Sequence, residues 1–308
     1  MSYDLFFECL PGRPRPSREA LLAYFEQRPN YQVSGDQAIY ENKDTGACFI
    51  LDCDESVPEE QENASRLPIA AYINYLRPHF FALEGGIELA AFARHFGLLA
   101  WSPQSERTFD LQHNEVYQEW WQSSERTTLR LLRSGQVPMP RYLLPTPVLD
   151  RIWRWNYGLQ ALQDRLGGSI FVPRISILDI GNSPHSMVVW SDAIPIALPA
   201  VDYVVLFRQQ TQPRRLFGRR KDHDLVLKPY QECEPLILSF ETANEVPPCR
   251  LLRYVDPPAS LIRLFRKGKA FDGELHGIRF EEILNEELVP RGNSMPSEDP
   301  APPPQSAT

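Results

Sequence analysis

The segment LDCDESVPEEQE, residues 51–62, places six carboxylates, Asp52, Asp54, Glu55, Glu59, Glu60 and Glu62, in twelve positions with no basic residue among them. Carboxylates this dense can bind a divalent cation, share acid and base roles, or face a cationic partner. An EF-hand loop needs alternating oxygen ligands around a central glycine, and this run has neither. Asp52 and Asp54, two apart, would share one face of a strand, but no third ligand is specified. Two readings lead, a solvated loop and a face for a basic protein partner, with a metal site and catalysis behind them.

Other chemistry is sparse. Glu84, Glu88 and His95 fall at i, i+4 and i+11 of one helix and could hold a cation, although a polar helix surface gives the same pattern. The six histidines never fall at the short spacings of zinc sites. GNSPHS sets Ser183 beside His185, but without G-x-S-x-G, and Gly181-Asn182 reads as a hairpin turn rather than a nucleophile elbow. No P-loop, dinucleotide fingerprint, kinase, zincin or deaminase signature is present. Catalytic residues, metal ligands and cofactors are therefore all expected to be none.

One basic cluster, RRLFGRRK, holds Arg214, Arg215, Arg219, Arg220 and Lys221 around Phe217. Between two expected strands it reads as a hairpin tip. Such a tip is either solvated, or a patch for phosphates or an acidic partner, with Phe217 available to stack on a base. The five cysteines, Cys9, Cys48, Cys53, Cys233 and Cys249, are odd in number and scattered, which fits reduced, buried thiols in a cytoplasmic protein.

Charge is unevenly spread. The chain carries −8 overall; residues 1–66 hold 13 acids against 6 bases, and residues 205–230 hold 7 bases against 2 acids. With 308 residues, 43% hydrophobic and 23% charged, it reads as a globular, soluble chain of more than one domain. The start MSYDLFFECL lacks the plan of a signal peptide, and no apolar run of about 18 residues occurs, so no membrane span is expected.

The elements that must position these residues read as follows. YDLFFECL is a first strand, and RPSREALLAYFEQ a short helix capped by Ser17. YQVSGDQAIYEN and GACFILDC form a strand pair. The strand PIAAYINYL, the helix GGIELAAFARHF closed by Gly97, and the strand LLAWSPQ follow. This order predicts an α+β fold whose residues 1–106 form a ferredoxin-like antiparallel sheet with two helices on one face. Residues 107–167 read as a helical connector, with Asn114 a candidate cap. Its second helix, starting at Val148, carries Leu149, Ile152, Trp153, Leu159, Leu162 and Leu166 on its apolar face, and Trp120, Trp121, Trp153 and Trp155 read as core. Residues 168–288 read as a strand-rich domain, with SIFVPRISILDI and PLILSFE among its strands and PASLIRLFRKG its last helix. Asp192 and Asp202, set among apolar residues, are expected to cap turns. The proline-rich tail 289–308 is expected to be disordered.

YDLFFE at the start, RPHFFALEGGIELAAFARHFGLLAWSPQ and VVWSDAIPIALPAVDYVVLFR together resemble bacterial immunity proteins of polymorphic toxin systems. The resemblance covers about 55 residues and carries over no functional residue. It implies a non-enzymatic inhibitor that blocks a cognate toxin, and it gives the acidic run a role as the face for a basic toxin domain. A nucleic-acid-binding protein using residues 214–221, and an enzyme with a site between the two sheet domains, are the alternatives.

Overall fold

Strand alternation decides which side of the first sheet is covered. In β1 (Ser2–Cys9) Tyr3, Leu5 and Phe7 are buried in the core, while Asp4 and Phe6 point the other way. The computed structural model describes residues 1–53, 66–136, 142–213, 223–245 and 247–289. After β1 come α1 (Arg18–Glu26), β2 (Tyr31–Ser34), β3 (Gln37–Glu41), β4 (Cys48–Asp52), β5 (Arg66–Asn74), α2 (Phe80–Phe96), β6 (Leu98–Ser102), β7 (Arg107–Phe109) and α3 (His113–Arg133). The seven strands form one antiparallel sheet in the order β2-β3-β4-β5-β1-β6-β7. The fold is α+β, as expected.

Local signals explain most boundaries. Ser17 accepts a hydrogen bond from the Ala20 N–H (3.2 Å) and caps α1. Gly97 closes α2 in the left-handed region (φ 65°). The stretch expected as one strand, residues 31–42, is instead a hairpin: Gly35, at φ 60°, turns the chain between β2 and β3, because glycine enters that region without a Cβ clash. The cap of α3 is Gln112 rather than Asn114; its backbone N–H donates to the Glu115 carboxylate (3.4 Å).

All three helices cover one face of the sheet. Phe25 of α1 stacks on Phe92 of α2 (5.0 Å), and Phe92 meets Phe7 of β1 edge-on (5.2 Å). From α3, Glu119 accepts from the Tyr3 hydroxyl (2.8 Å), and the Trp120 indole donates to the Asn74 carbonyl (3.3 Å). A Cβ on Gly86 of α2 would lie 2.7 Å from the His113 carbonyl oxygen, so α2 and α3 approach as closely as a glycine permits.

The rest of the chain supplies β8 (Tyr142–Leu144), α4 (Thr146–Tyr157), α5 (Leu159–Leu166), β9 (Ser176–Ile180), β10 (Ser183–Ser191), β11 (Ile196–Pro199), β12 (Tyr203–Arg208), β13 (Asp224–Pro229), α6 (Tyr230–Ile237), β14 (Glu241–Ala243), β15 (Cys249–Leu252), α7 (Ala259–Lys267), β16 (His276–Ile278) and β17 (Ile283–Asn285). They build a five-stranded sheet, β13-β12-β10-β9-β16, a three-stranded sheet, β11-β15-β14, and a parallel pair, β17-β8. The expected helix from Val148 starts at Thr146 and is divided at Gly158 into α4 and α5; Leu149, Ile152 and Leu162 are buried, and Trp153, Leu159 and Leu166 pack half-buried against the core. Trp120 and Trp155 are buried, and Trp121 and Trp153 pack against the same core.

Two expected strands are corrected. Of residues 169–180 only β9 is strand, since Pro173 lies upstream where a ladder needs an N–H. Of residues 235–241 the first three end α6, which starts after Pro229, gains the Lys228–Glu232 ion pair and buries Cys233 and Ile237 four apart; only Glu241, the first residue of β14, is strand. The core is continuous. One cluster of buried side chains extends from Tyr3 to Val289 through all these elements.

Candidate functional site

Asp52, the last residue of β4, is the one carboxylate of the acidic run that falls within the described residues. Asp54, Glu55, Glu59, Glu60 and Glu62 lie outside them. Arg214, Arg215, Phe217, Arg219, Arg220 and Lys221 also lie outside, though β12 and β13 are antiparallel neighbours, so the chain reverses direction between Arg208 and Asp224.

Asp52 stands on the face of the seven-stranded sheet opposite α1, α2 and α3, and cross-strand register names the rest of that face, because partners in a ladder share a side. Asp52 pairs with Gln37 and Ala70, and Ile50 with Ile39 and Tyr72. Tyr72 then pairs with Asp4, Ala70 with Phe6, Phe6 with Trp101, and Glu8 with Leu99. The register shift between Phe6 and Glu8 accommodates Pro68, which has no N–H for the ladder. Ile39, Ile50, Tyr72, Phe6, Leu99 and Trp101 are all partly exposed, and none belongs to the set packed against the core.

An antiparallel sheet with one wet face normally alternates apolar-in with polar-out. Here the outward positions are apolar and aromatic, with carboxylates among them. The Phe6 and Trp101 rings lie 5.6 Å apart, tilted by 52°. Gln37 Nε2 donates to Asp52 Oδ2 (3.4 Å), and Ser2 Oγ to Asp4 Oδ1 (2.5 Å). Burial raises the Tyr72 phenol above its ordinary pKa, and the Asp52 and Asp4 charges add to the effect. Aromatic rings flanked by carboxylates suit arginine and lysine side chains, which stack on the rings and pair with the acids.

The other candidate groups are occupied structurally. Glu84 is fully buried (0% exposed) and accepts from the Tyr40 hydroxyl (2.6 Å), Asn42 Nδ2 (2.6 Å) and Trp153 Nε1 (3.0 Å). Burial raises its pKa against those stabilising hydrogen bonds. Glu88 pairs with Arg28 (2.8 Å), and His95 packs on Tyr24 and Phe96. These three residues therefore do not converge, and among the described residues no group of three or more His, Cys, Asp or Glu could hold a metal. The Gly181–Asn182 hairpin forms as expected, with Ile180 paired to Ser183, and the His185 ring meets Tyr203. Asp192 accepts from the N–H groups of Gln209, Gln210 and Thr211, and Asp202 from Ser186, so both aspartates organise turns. Cys53, Cys233 and Cys249 are buried, each pushed up to about 11 by burial, and Cys9 and Cys48 are half-buried.

Two buried polar groups carry no signal in the sequence. His79, at the start of α2, donates its backbone N–H to Asn285 Oδ1 (2.8 Å). That fixes the amide so that Asn285 Nδ2 faces His79 Nδ1 (2.9 Å), leaving the ring proton on Nε2. Burial pushes His79 down to about 4, a neutral imidazole. Arg208 (1% exposed) forks onto Asp224 (2.6 and 2.8 Å) and donates to the carbonyls of Phe265 and Gly268 at the end of α7. Both pair residues distant in sequence, which composition cannot reveal.

The cleft beside α7 is lined by Lys228, Arg263 and Lys267 over Leu236 and Leu264, with Ser260 among them. No helix among the described residues is long and apolar enough to cross a membrane. No protein-family model, curated protein or solved structure matches this chain.

Proposed function

We propose that this chain is a non-enzymatic protein-binding module, an inhibitor of the kind that bacterial toxin immunity proteins represent, and that it takes a basic partner on the face of its seven-stranded sheet opposite the helices. The observation that carries this reading is the outward row Ile39, Ile50, Tyr72, Phe6 and Trp101, all partly exposed, with Asp4 and Asp52 beside it. A contiguous apolar patch of this kind on a soluble chain marks an interaction surface. Aromatics supply the buried anchors of an interface, and the carboxylates favour a cationic partner over others. The run from Asp54 to Glu62 follows Asp52 directly in the chain and adds charge of the same sign.

The inner strands β4, β5, β1 and β6, with α1 and α2, read as a ferredoxin-like core enlarged at both edges; their order and antiparallel pairing support that reading. Five cysteines without a disulfide fit a reducing, cytoplasmic setting.

The experiment uses the full chain and a Phe6→Ser/Trp101→Ser variant as baits, with the captured partner then purified and its affinity measured. The proposal expects the double variant to bind at least about 100-fold more weakly, since central aromatics dominate interface energies. Equal affinity of the two chains would remove that face from the binding surface.

A further inference from the structure

Helix α7 buries Leu261 and Phe265 and turns a second stripe, Ser260, Arg263, Leu264 and Lys267 followed by Gly268, into a cleft of about 300 Å³. Two contacts fix where that stripe lies. Arg208 donates to the carbonyls of Phe265 and Gly268, which ties down the end of the helix. A Cβ on Gly268 would lie 2.4 Å from Val226 Cγ1, so α7 ends hard against β13. Val226 points into the core, and Lys228, two positions along the same strand, shares its side and lines the cleft. Leu236, on α6 just after β13, completes an apolar floor with Leu264.

The cations around this floor are not neutralised. Lys228 is paired with Glu232 (2.6 Å), whereas the Arg263 and Lys267 side chains have no ion pair or hydrogen bond among the described residues. Other cations of this half of the chain are matched, Arg208 by Asp224 above all. Like charges four apart on a helix repel, and an anion held between them removes that cost. Lys228, Arg263 and Lys267, less Glu232, leave a charge of +2 around the cleft, a local reversal of sign in a chain of −8.

We infer that this cleft is a binding site for a phosphate monoester carried on an apolar body. A dianion matches the two charges, and guanidinium and ammonium groups are those that hold phosphate oxygens. Ser260, in the first turn of α7, adds a hydroxyl donor. Leu236 and Leu264 offer a surface that a bare phosphate would leave unused, and the volume is at the lower end for small-molecule sites.

Calorimetric titration of the full chain with 1-naphthyl phosphate at about pH 8, where the ester is a dianion, tests this. The wild type is expected to bind it with a Kd below about 1 mM, at least about tenfold tighter than inorganic phosphate or 1-naphthol. Arg263→Gln/Lys267→Gln is expected to weaken binding at least about tenfold at an unchanged melting temperature, because both side chains are exposed. Arg263→Gln alone is the second variant should the pair lower the melting temperature. Arg266→Gln, which alters an exposed cation of the same helix outside the cleft, is expected to bind like the wild type. Vesicles of phosphatidylcholine with phosphatidic acid distinguish the source of the ester. Co-sedimentation that the double variant loses assigns it to a lipid headgroup, and wild-type chain left in the supernatant assigns it to a soluble ligand. No binding of the naphthyl ester at about 1 mM overturns the inference. So does a double variant that binds like the wild type, or an Arg266→Gln variant that loses as much affinity as the double variant.

Discussion

Glu84 shows how much one side chain organises. Its carboxylate accepts from Tyr40 on β3, Asn42 in the following turn and Trp153 on α4, joining the first sheet to the helical region. Glu84→Gln replaces one acceptor oxygen by an amide that faces donors, and should cost about 1–3 kcal/mol in urea unfolding at neutral pH. The sign of its pH dependence follows from burial. Its folded pKa is raised, so its contribution is greatest below the unfolded value and declines as pH rises through the folded one. His79 works from the acid side. Its folded value is pushed down to about 4, below an ordinary histidine, so the unfolded chain takes up a proton first as pH falls. Stability should fall by about 2 kcal/mol from about pH 7 to about pH 5 on this account, and that component of the slope should vanish in His79→Gln. Neither role was legible beforehand: Glu84 shares a helical face with Glu88 and His95, which in sequence look like one polar stripe, and Asn285 lies 206 positions from His79.

At the scale of elements, close approaches set the packing. Gly86→Ala would ordinarily stabilise a helix by about 1 kcal/mol. Here the added methyl meets the His113 carbonyl at 2.7 Å, so the substitution should instead destabilise by about 1–3 kcal/mol in chemical denaturation. Much at this scale was readable. Tyr3, Leu5 and Phe7 alternate as a half-buried strand must, Ser17 and Gly97 cap their helices, and Gly181-Asn182 turns its hairpin. The errors have local causes. The Gly35-Asp36 turn sits inside one apparently continuous strand, and residues 235–241 carry strand-forming residues in a segment whose burial of Cys233 and Ile237 follows helical spacing. The outward face was half legible: YDLFFE puts apolar residues at both parities of β1, but which side receives the helices depends on where α1, α2 and α3 pack.

For the molecule as a whole, the face of the seven-stranded sheet opposite the helices is acidic and aromatic. Because Phe6 and Trp101 are partly exposed and lie outside the core cluster, the Phe6→Ser/Trp101→Ser variant is expected to stay folded and to unfold in one cooperative thermal transition. The central claim is that the acidic face draws in a basic protein, and association kinetics test it most directly. With the partner captured by the wild-type chain, the association rate is measured at about 0.01 M and about 1 M salt, where the screening length falls from about 30 Å to about 3 Å. The comparison variant carries Asp52→Asn together with Asp54, Glu55, Glu59 and Glu60 changed to Lys. The account predicts that this variant associates at least about tenfold more slowly than the wild type at low salt, that the gap closes at high salt, and that dissociation rates stay similar. Equal association rates at low salt would contradict it.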